Sequence, residues 1–267
     1  MNLHRALLAT TGFSLLLTGG RLQSQQLAGN WKIVPAPAIG SAELYATDVP
    51  VWKVREDGAV VTASHWTRRD REEQEKTFLP EHLTRDALMH GAPSSLRLDG
   101  GGWLIGFDGG EFDGGLWSTS EDGRQTKLLV HQADIHGLIR TPDGVIVLSG
   151  LAHATMDQGS AVFVPNSSWD KAEVHPISDL SSSPQAWVQD SPSTVLVVTN
   201  KAILRVHEVG TADTLASLPY GPIVARSIVI AADRTIYVGV RGYILRLLPQ
   251  PNGYTLQWLL PDQPPKG

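Results

Sequence analysis

The sequence predicts an all-β fold, a β-propeller of about five four-stranded blades. Three observations carry this: a recurring strand–turn–strand unit, its spacing, and a composition that favours short strands over helices. The unit begins with a short strand, passes a tight polar turn, and continues into a strongly apolar second strand. It reads Val51-Trp52-Lys53-Val54, Asp57-Gly58, Ala59 to Ala63 in its first copy. The second copy reads Ser95 to Leu98, Asp99-Gly100, Trp103 to Phe107, and the third Gly137 to Arg140, Asp143-Gly144, Val145 to Leu148. The fourth turns at Ser191-Pro192-Ser193 before Val195 to Val198, and the fifth at Asp233-Arg234 before Ile236 to Val240.

The turns fall at positions 57, 99, 143, 191 and 233, with spacings of 42, 44, 48 and 42 residues. Four-stranded propeller blades recur at roughly 40 to 50 residues. In an Asp-Gly turn the carboxylate caps its own turn and glycine supplies the positive φ of a tight hairpin. The second strands are apolar on both faces, as expected of strands covered by neighbouring sheets. Eight Trp and 26 Gly residues fit the same picture of aromatic packing between many turns.

Third strands are expected at Gly115-Leu116-Trp117, Ala161 to Val164, Ala202 to Val206 and Tyr243 to Leu247. Fourth strands are expected at Thr126 to Val130, Ala172 to His175, Thr214 to Leu218 and Tyr254 to Leu259. The charged stretch from Trp66 to Leu88 fits a long loop or a helical turn, and Trp31 to Val34 is expected to pair with the first or last blade. Such a strand would help to cover edges that an open propeller leaves unpaired.

The domain plan follows. Residues 1–24 read as a signal peptide, with Arg5 in a short basic start and an apolar run of 12 residues from Ala6 to Leu17. That run is too short to span a bilayer, and cleavage is expected after Gly20 or Ser24. An uncleaved N-terminal anchor is the other reading. Residues 25–50 form an N-terminal segment, 51–260 the propeller and 261–267 a tail. Periplasmic or secreted localisation is therefore expected, with no transmembrane segment in the mature chain. The absence of Cys removes disulfides, thiolate metal sites and a lipidated cysteine anchor from consideration.

A formal net charge of −5 argues against nucleic acid as a partner. Arg68, Arg69 and Arg71 are interleaved with Asp70, Glu72 and Glu73, so no basic stripe forms.

This blade grammar resembles the broad superfamily of bacterial propellers that includes NHL-repeat and two-component-regulator-type blades, over about Pro50 to Leu260. The run Trp117 to Thr126 is similar to a degenerate Asp-box, the structural turn of sialidase-type propellers. It carries one residue too many between Asp122-Gly123 and Thr126. That resemblance implies a turn away from any active site.

Function is expected on the face that carries the second-to-third-strand loops and the crossings between blades. Loops there are elaborated at Ser64–Thr77, Asp108–Gly114 and Gly150–Ser160, and minimal at Asn200-Lys201 and Arg241-Gly242. Rigid strands presenting unequal loops are a common binding arrangement. Asp108, Glu111 and Asp113 alternate with glycines, an oxygen-rich pattern that suits Ca²⁺, the one cofactor the sequence suggests; a solvated acidic turn is the plainer reading. His136, His153 and Asp157 are candidates for a proton-transfer pair or ligand site, with His65, Trp66, Arg68 and Arg69 as an exposed binding group.

The leading expectation is an exported, non-enzymatic binding or scaffold propeller that recognises a protein or a glycan. The first alternative is a metal-dependent, lactonase-like hydrolase, for which Asp190 and Asn200 are the channel-side ligand candidates. The second is a glycosidase-like propeller using Asp108 and Glu111, which lie too close in one loop to flank a bond. No H-E-x-x-H, G-x-S-x-G or phosphate-binding glycine loop is present.

Overall fold

The computed structural model describes residues 27, 29–42, 48–62, 79, 92–110, 114–153, 155–219, 221 and 223–261. The expected signal segment, His65, Trp66, Arg68, Arg69, Glu111 and Asp113 lie outside them. The described residues form antiparallel strands in five sheets.

The first sheet is β2 (Trp52–Val54) and β3 (Val60–Thr62). The second runs β4 (Ala92–Arg97), β5 (Trp103–Asp108), β6 (Gly114–Thr119), β7 (Thr126–His131). The third is β8 (Ile135–Arg140), β9 (Gly144–His153), β10 (Met156–Pro165), β11 (His175–Asp179). The fourth is β12 (Ala186–Ser191), β13 (Thr194–Val198), β14 (Ala202–His207), β15 (Ala212–Ser217). The fifth is β16 (Ser227–Ile230), β17 (Ile236–Gly239), β18 (Ile244–Gln250), β19 (Gly253–Pro261), with β1 (Trp31–Val34) added outside β19. Strand order follows chain order within every sheet apart from β1, and the second to fifth sheets pack each against the next.

The core is a succession of layers between sheets. One layer joins the second sheet to the third through Leu104, Leu116, Val145 and Val147. Another joins the third to the fourth through Ile146, Leu148, Val195 and Val197. A third joins the fourth to the fifth through Leu196, Val198, Ile236 and Leu245. Alternate residues of each second strand enter opposite layers, which is why these strands are apolar on both faces. The last sheet then meets the first: Trp52 N–H donates to the Val240 carbonyl at 3.0 Å and Val54 N–H to Ser227 Oγ at 2.7 Å. First strands of successive sheets lie beside each other (β4 with β8, β12 with β16, β16 with β2), so these sheets are arranged as blades around an axis.

All five turn markers fall at first-to-second-strand hairpins. Glycine supplies positive φ at Gly58 (79°), whereas in the second sheet Gly101 and Gly102 do so in place of Gly100. In the fifth sheet Arg234 takes φ 68° itself. The Asp-box-like turn is likewise a scaffold feature: Asp122 Oδ1 accepts from Ser120 Oγ at 2.7 Å and from Arg124 N–H at 3.1 Å.

Three expectations need correction. Gly150–Ser160 is not an open loop but the continuation of β9 and β10, paired from Ser149↔Ser160 to His153↔Met156. The fourth strand of the third repeat begins at His175 rather than Ala172, because a 3-10 turn at Trp169–Lys171 packs against β6 and β7 and delays it. Trp31–Val34, by contrast, pairs with the last blade as expected, as a fifth strand outside a sheet that already has four. Asp190 is not on the channel-loop face: it ends β12 at the opposite edge from Asn200, its carboxylate held by Arg205 Nε at 2.9 Å and by Arg234.

Candidate functional site

The ends of β5, β9 and β13 and the starts of β8, β12 and β16 come to one face, that of the second-to-third-strand loops and the crossings. A chain of polar side chains runs across it. His136, at the start of β8, places Nδ1 3.2 Å from Asp108 Oδ2 at the end of β5. Its Nε2 lies 2.7 Å from the Gly150 carbonyl oxygen and 3.2 Å from Ser183 Oγ. Ser183 N–H donates to Asp157 Oδ1 at 2.9 Å, and Ser182 Oγ donates to the same carboxylate at 2.8 Å. Ser182 Oγ also accepts from Asn200 N–H at 3.2 Å, while Gln185 bridges the Asn200 amide oxygen and Ala225 N–H.

Two glycines make this approach feasible. Gly150 and Gly159 sit opposite each other on β9 and β10, and the crossing Leu180–Gln185 lies against them. A Cβ on Gly150 would come 2.9 Å from the Ser183 Cα, and one on Gly159 2.8 Å from the Ser182 carbonyl carbon. Without side chains there, the crossing settles onto the hairpin and carries Ser182 and Ser183 to His136 and Asp157. Ser182 and Ser183 are buried, so leaving either hydroxyl unpaired would be costly.

Electrostatics favours the charged form of the histidine. Burial alone would lower the His136 pKa, but the Asp108 hydrogen bond and charge, the Gly150 carbonyl and the Asp134 charge outweigh it and raise the value above 6.5. Both ring nitrogens face acceptors, so the imidazolium form satisfies both. Asp108 is lowered from 3.8, chiefly by its hydrogen bond with His136. Asp134, which accepts from Gly109 N–H at 3.0 Å, is raised by burial and by the Asp108 charge.

The pH dependence of stability follows from these directions. Asp108 stabilises above its unfolded value near 3.8, and this is lost as pH falls through its lower folded value. His136 stabilises fully below about 6.5, and this is lost as pH rises through its higher folded value. Asp134 also loses stability as pH rises above 3.8. We therefore expect His136→Gln to flatten the fall in denaturation midpoint above pH 6.5; an unchanged slope would contradict the protonated state.

Of the sequence candidates, the structure brings together Asp108, His136 and Asp157. His153 sits at the exposed end of β9, on the hairpin tip, and is not part of the chain linking the other three. Asp108 is engaged by His136 and by Gly110 N–H, and among the described residues no group of three His, Asp or Glu side chains is placed to hold a metal. Sequence reasoning missed Asp134, Ser182, Ser183 and Gln185. The three consecutive serines before β12, at a crossing on the loop face, were the available signal.

Comparison with known proteins adds loose likenesses. No family model and no curated protein matches the chain. Among solved structures, an extracellular domain assigned to a hybrid two-component system of B. thetaiotaomicron aligns at TM-score 0.39 and 10% identity, over 79% of this chain and 24% of that one. The chain thus spans about a quarter of that relative. A gluconolactonase from Xanthomonas campestris aligns at TM-score 0.37 and 15% identity, over 80% and 78% of the two chains. A streptogramin B lyase aligns at TM-score 0.33 and 12% identity, over 88% of each. These likenesses are too weak to carry an activity across. The site must speak through its own chemistry.

Proposed function

We propose that this chain is an exported, non-enzymatic binding propeller that takes a polar ligand over the His136 face. The observation that supports this is His136 itself, held between a carboxylate and a backbone carbonyl within a network spanning three sheets. Ser183, His136 and Asp108 superficially suggest a nucleophile, base and orienting acid. A general base must present a free nitrogen lone pair to its nucleophile. Here Nε2 directs its proton to the Gly150 carbonyl, and Ser183 is only 3% exposed. The arrangement suits a rigid, hydrated platform better than an acyl-transfer centre.

Asp108 is the open acceptor of that platform, its side chain 40% exposed. Ligand hydroxyl or ammonium donors complement it, which favours a glycan or a basic segment of a partner protein. The lactonase-like alternative gains nothing from Asp190 and Asn200. They lie at opposite edges of the fourth sheet, and the Asn200 amide oxygen is occupied by Gln185.

A glycan array and an envelope-extract pull-down, each run with wild type and Asp108→Asn, test this reading. The expected result is a ligand bound about tenfold or more weaker by the variant, given what a hydrogen bond to a charged group contributes. Turnover of a lactone or chromogenic glycoside that disappears in Asp108→Asn or with chelator would overturn it.

A further inference from the structure

The opposite face carries an unexplained acidic junction. Glu208 follows β14 in the fourth sheet, its backbone N–H bound to the Ser193 carbonyl at 3.1 Å. Its residue is 7% exposed, and Oε2 is buried without a hydrogen-bond partner. Beside it, from the first turn of the third sheet, come the Asp143 carboxyl and the Thr141 hydroxyl. Thr141 is 4% exposed, and its Oγ1 also lacks a partner. Three oxygen-bearing groups from two sheets therefore converge, and of the three only the Thr141 hydroxyl, which lies against the Glu208 carboxyl, can donate to a carboxylate.

The protein cations at this end are committed elsewhere. Arg140 pairs with Asp99, Arg205 and Arg234 with Asp190, and His207 with Asp213 at 2.9 Å. Among the described residues no Lys, Arg or His is paired with Glu208 or Asp143. A buried carboxylate oxygen needs a proton, a water or a cation.

We propose that Glu208, Asp143 and the Thr141 hydroxyl form a site for a hard divalent cation, Ca²⁺ by ligand type, that clips the third sheet to the fourth. Carboxylate and hydroxyl oxygens with waters completing the shell are what Ca²⁺ accepts, and an all-oxygen set excludes metals that need sulfur or imidazole. Asp143 is exposed and gives the ion a path from solvent. The site lies on the face opposite His136 and is independent of what that face binds.

Thermal unfolding of the full chain at pH 7, in chelator and then in excess CaCl₂, provides the test. Wild type should gain several degrees with calcium, as expected for a site filled well above its dissociation constant. Glu208→Gln should not respond, and in chelator should melt at or above wild type because the repulsion is gone. If that variant fails to fold, Asp143→Asn, in an exposed turn, gives the same reading. Absence of a calcium-dependent gain in wild type overturns the proposal. So does a gain that persists in Glu208→Gln but vanishes in Asp108→Asn, which would place the ion in the acidic loop of the other face.

Discussion

Replacing Trp52 with alanine should destabilise the fold by about 3–5 kcal/mol, the range for truncating a buried large aromatic. For a chain of this size that corresponds to a melting temperature lower by roughly 6–20 °C. Trp52 is 4% exposed and stands at the seam where the last sheet meets the first. Its ring meets Trp31 edge-on, with centroids 5.7 Å apart and planes at 85°. Around it lie Leu27, Val229, Tyr237, Ile244 and Leu259. The N-terminal segment thus ties two blades at once: β1 pairs with β19, while Leu27 and Trp31 pack on the first sheet's tryptophan. Truncation would empty the space that this strap closes over. Val61→Ala, on the same small sheet but at a 38% exposed side chain, should change stability by less than about 0.5 kcal/mol. Equal effects from the two would mean that the seam contributes nothing beyond an ordinary surface position. Limited proteolysis should also cut Trp52→Ala sooner near residues 27–34, since the strap would lose its packing partner.

The repeat was legible because its signal is local. A turn residue, a doubly apolar strand and a fixed period all sit within one short stretch, and each of the five markers lands on its expected hairpin. What the chain conceals is why some of those glycines are needed. Gly144 follows the Asp-Gly pattern, yet its backbone does not take a positive φ. It is glycine because a Cβ there would meet the Phe163 ring at 2.7 Å and also the Val164 carbonyl. The same two letters therefore solve a turn problem at Asp57-Gly58 and a packing problem at Asp143-Gly144. Sequence spacing alone does not separate them.

The candidate site was legible only in part, for a related reason. His136, Asp108 and Asp157 stood out as titratable groups near loops. Their connection runs through Ser182 and Ser183, which arrive from a crossing with no motif of its own. Ser183 and His136 are 47 residues apart, a separation that only the sheet-to-sheet packing closes. Asp190 failed as a channel candidate because a strand of six residues has two ends, and the hairpin register puts Asp190 beside the turn at Thr194. Assigning it to a face required knowing which end of β12 faces the channel loops.

Gly159→Ala should link these two themes, costing about 1–3 kcal/mol through overpacking and disturbing His136 at the same time. The new methyl would strike the Ser182 carbonyl and lie 3.2 Å from Pro184 Cδ, so the crossing must lift from the hairpin. Lifting it withdraws Ser183 from His136 and Ser182 from Asp157, and polar groups that were buried and paired become buried and unpaired. Gly210→Ala is the informative companion. Gly210 has φ 66° with nothing within 4 Å of a built Cβ, so its cost is backbone strain of roughly 1–2 kcal/mol. It lies in the β14–β15 turn, at the far end of the fourth sheet from Asn200. Both variants should therefore unfold more easily, but only Gly159→Ala should move the His136 imidazole resonances and its titration midpoint in NMR. If His136 titrates identically in both, the crossing does not position the site, and the network would have to be held from the Asp108 side alone.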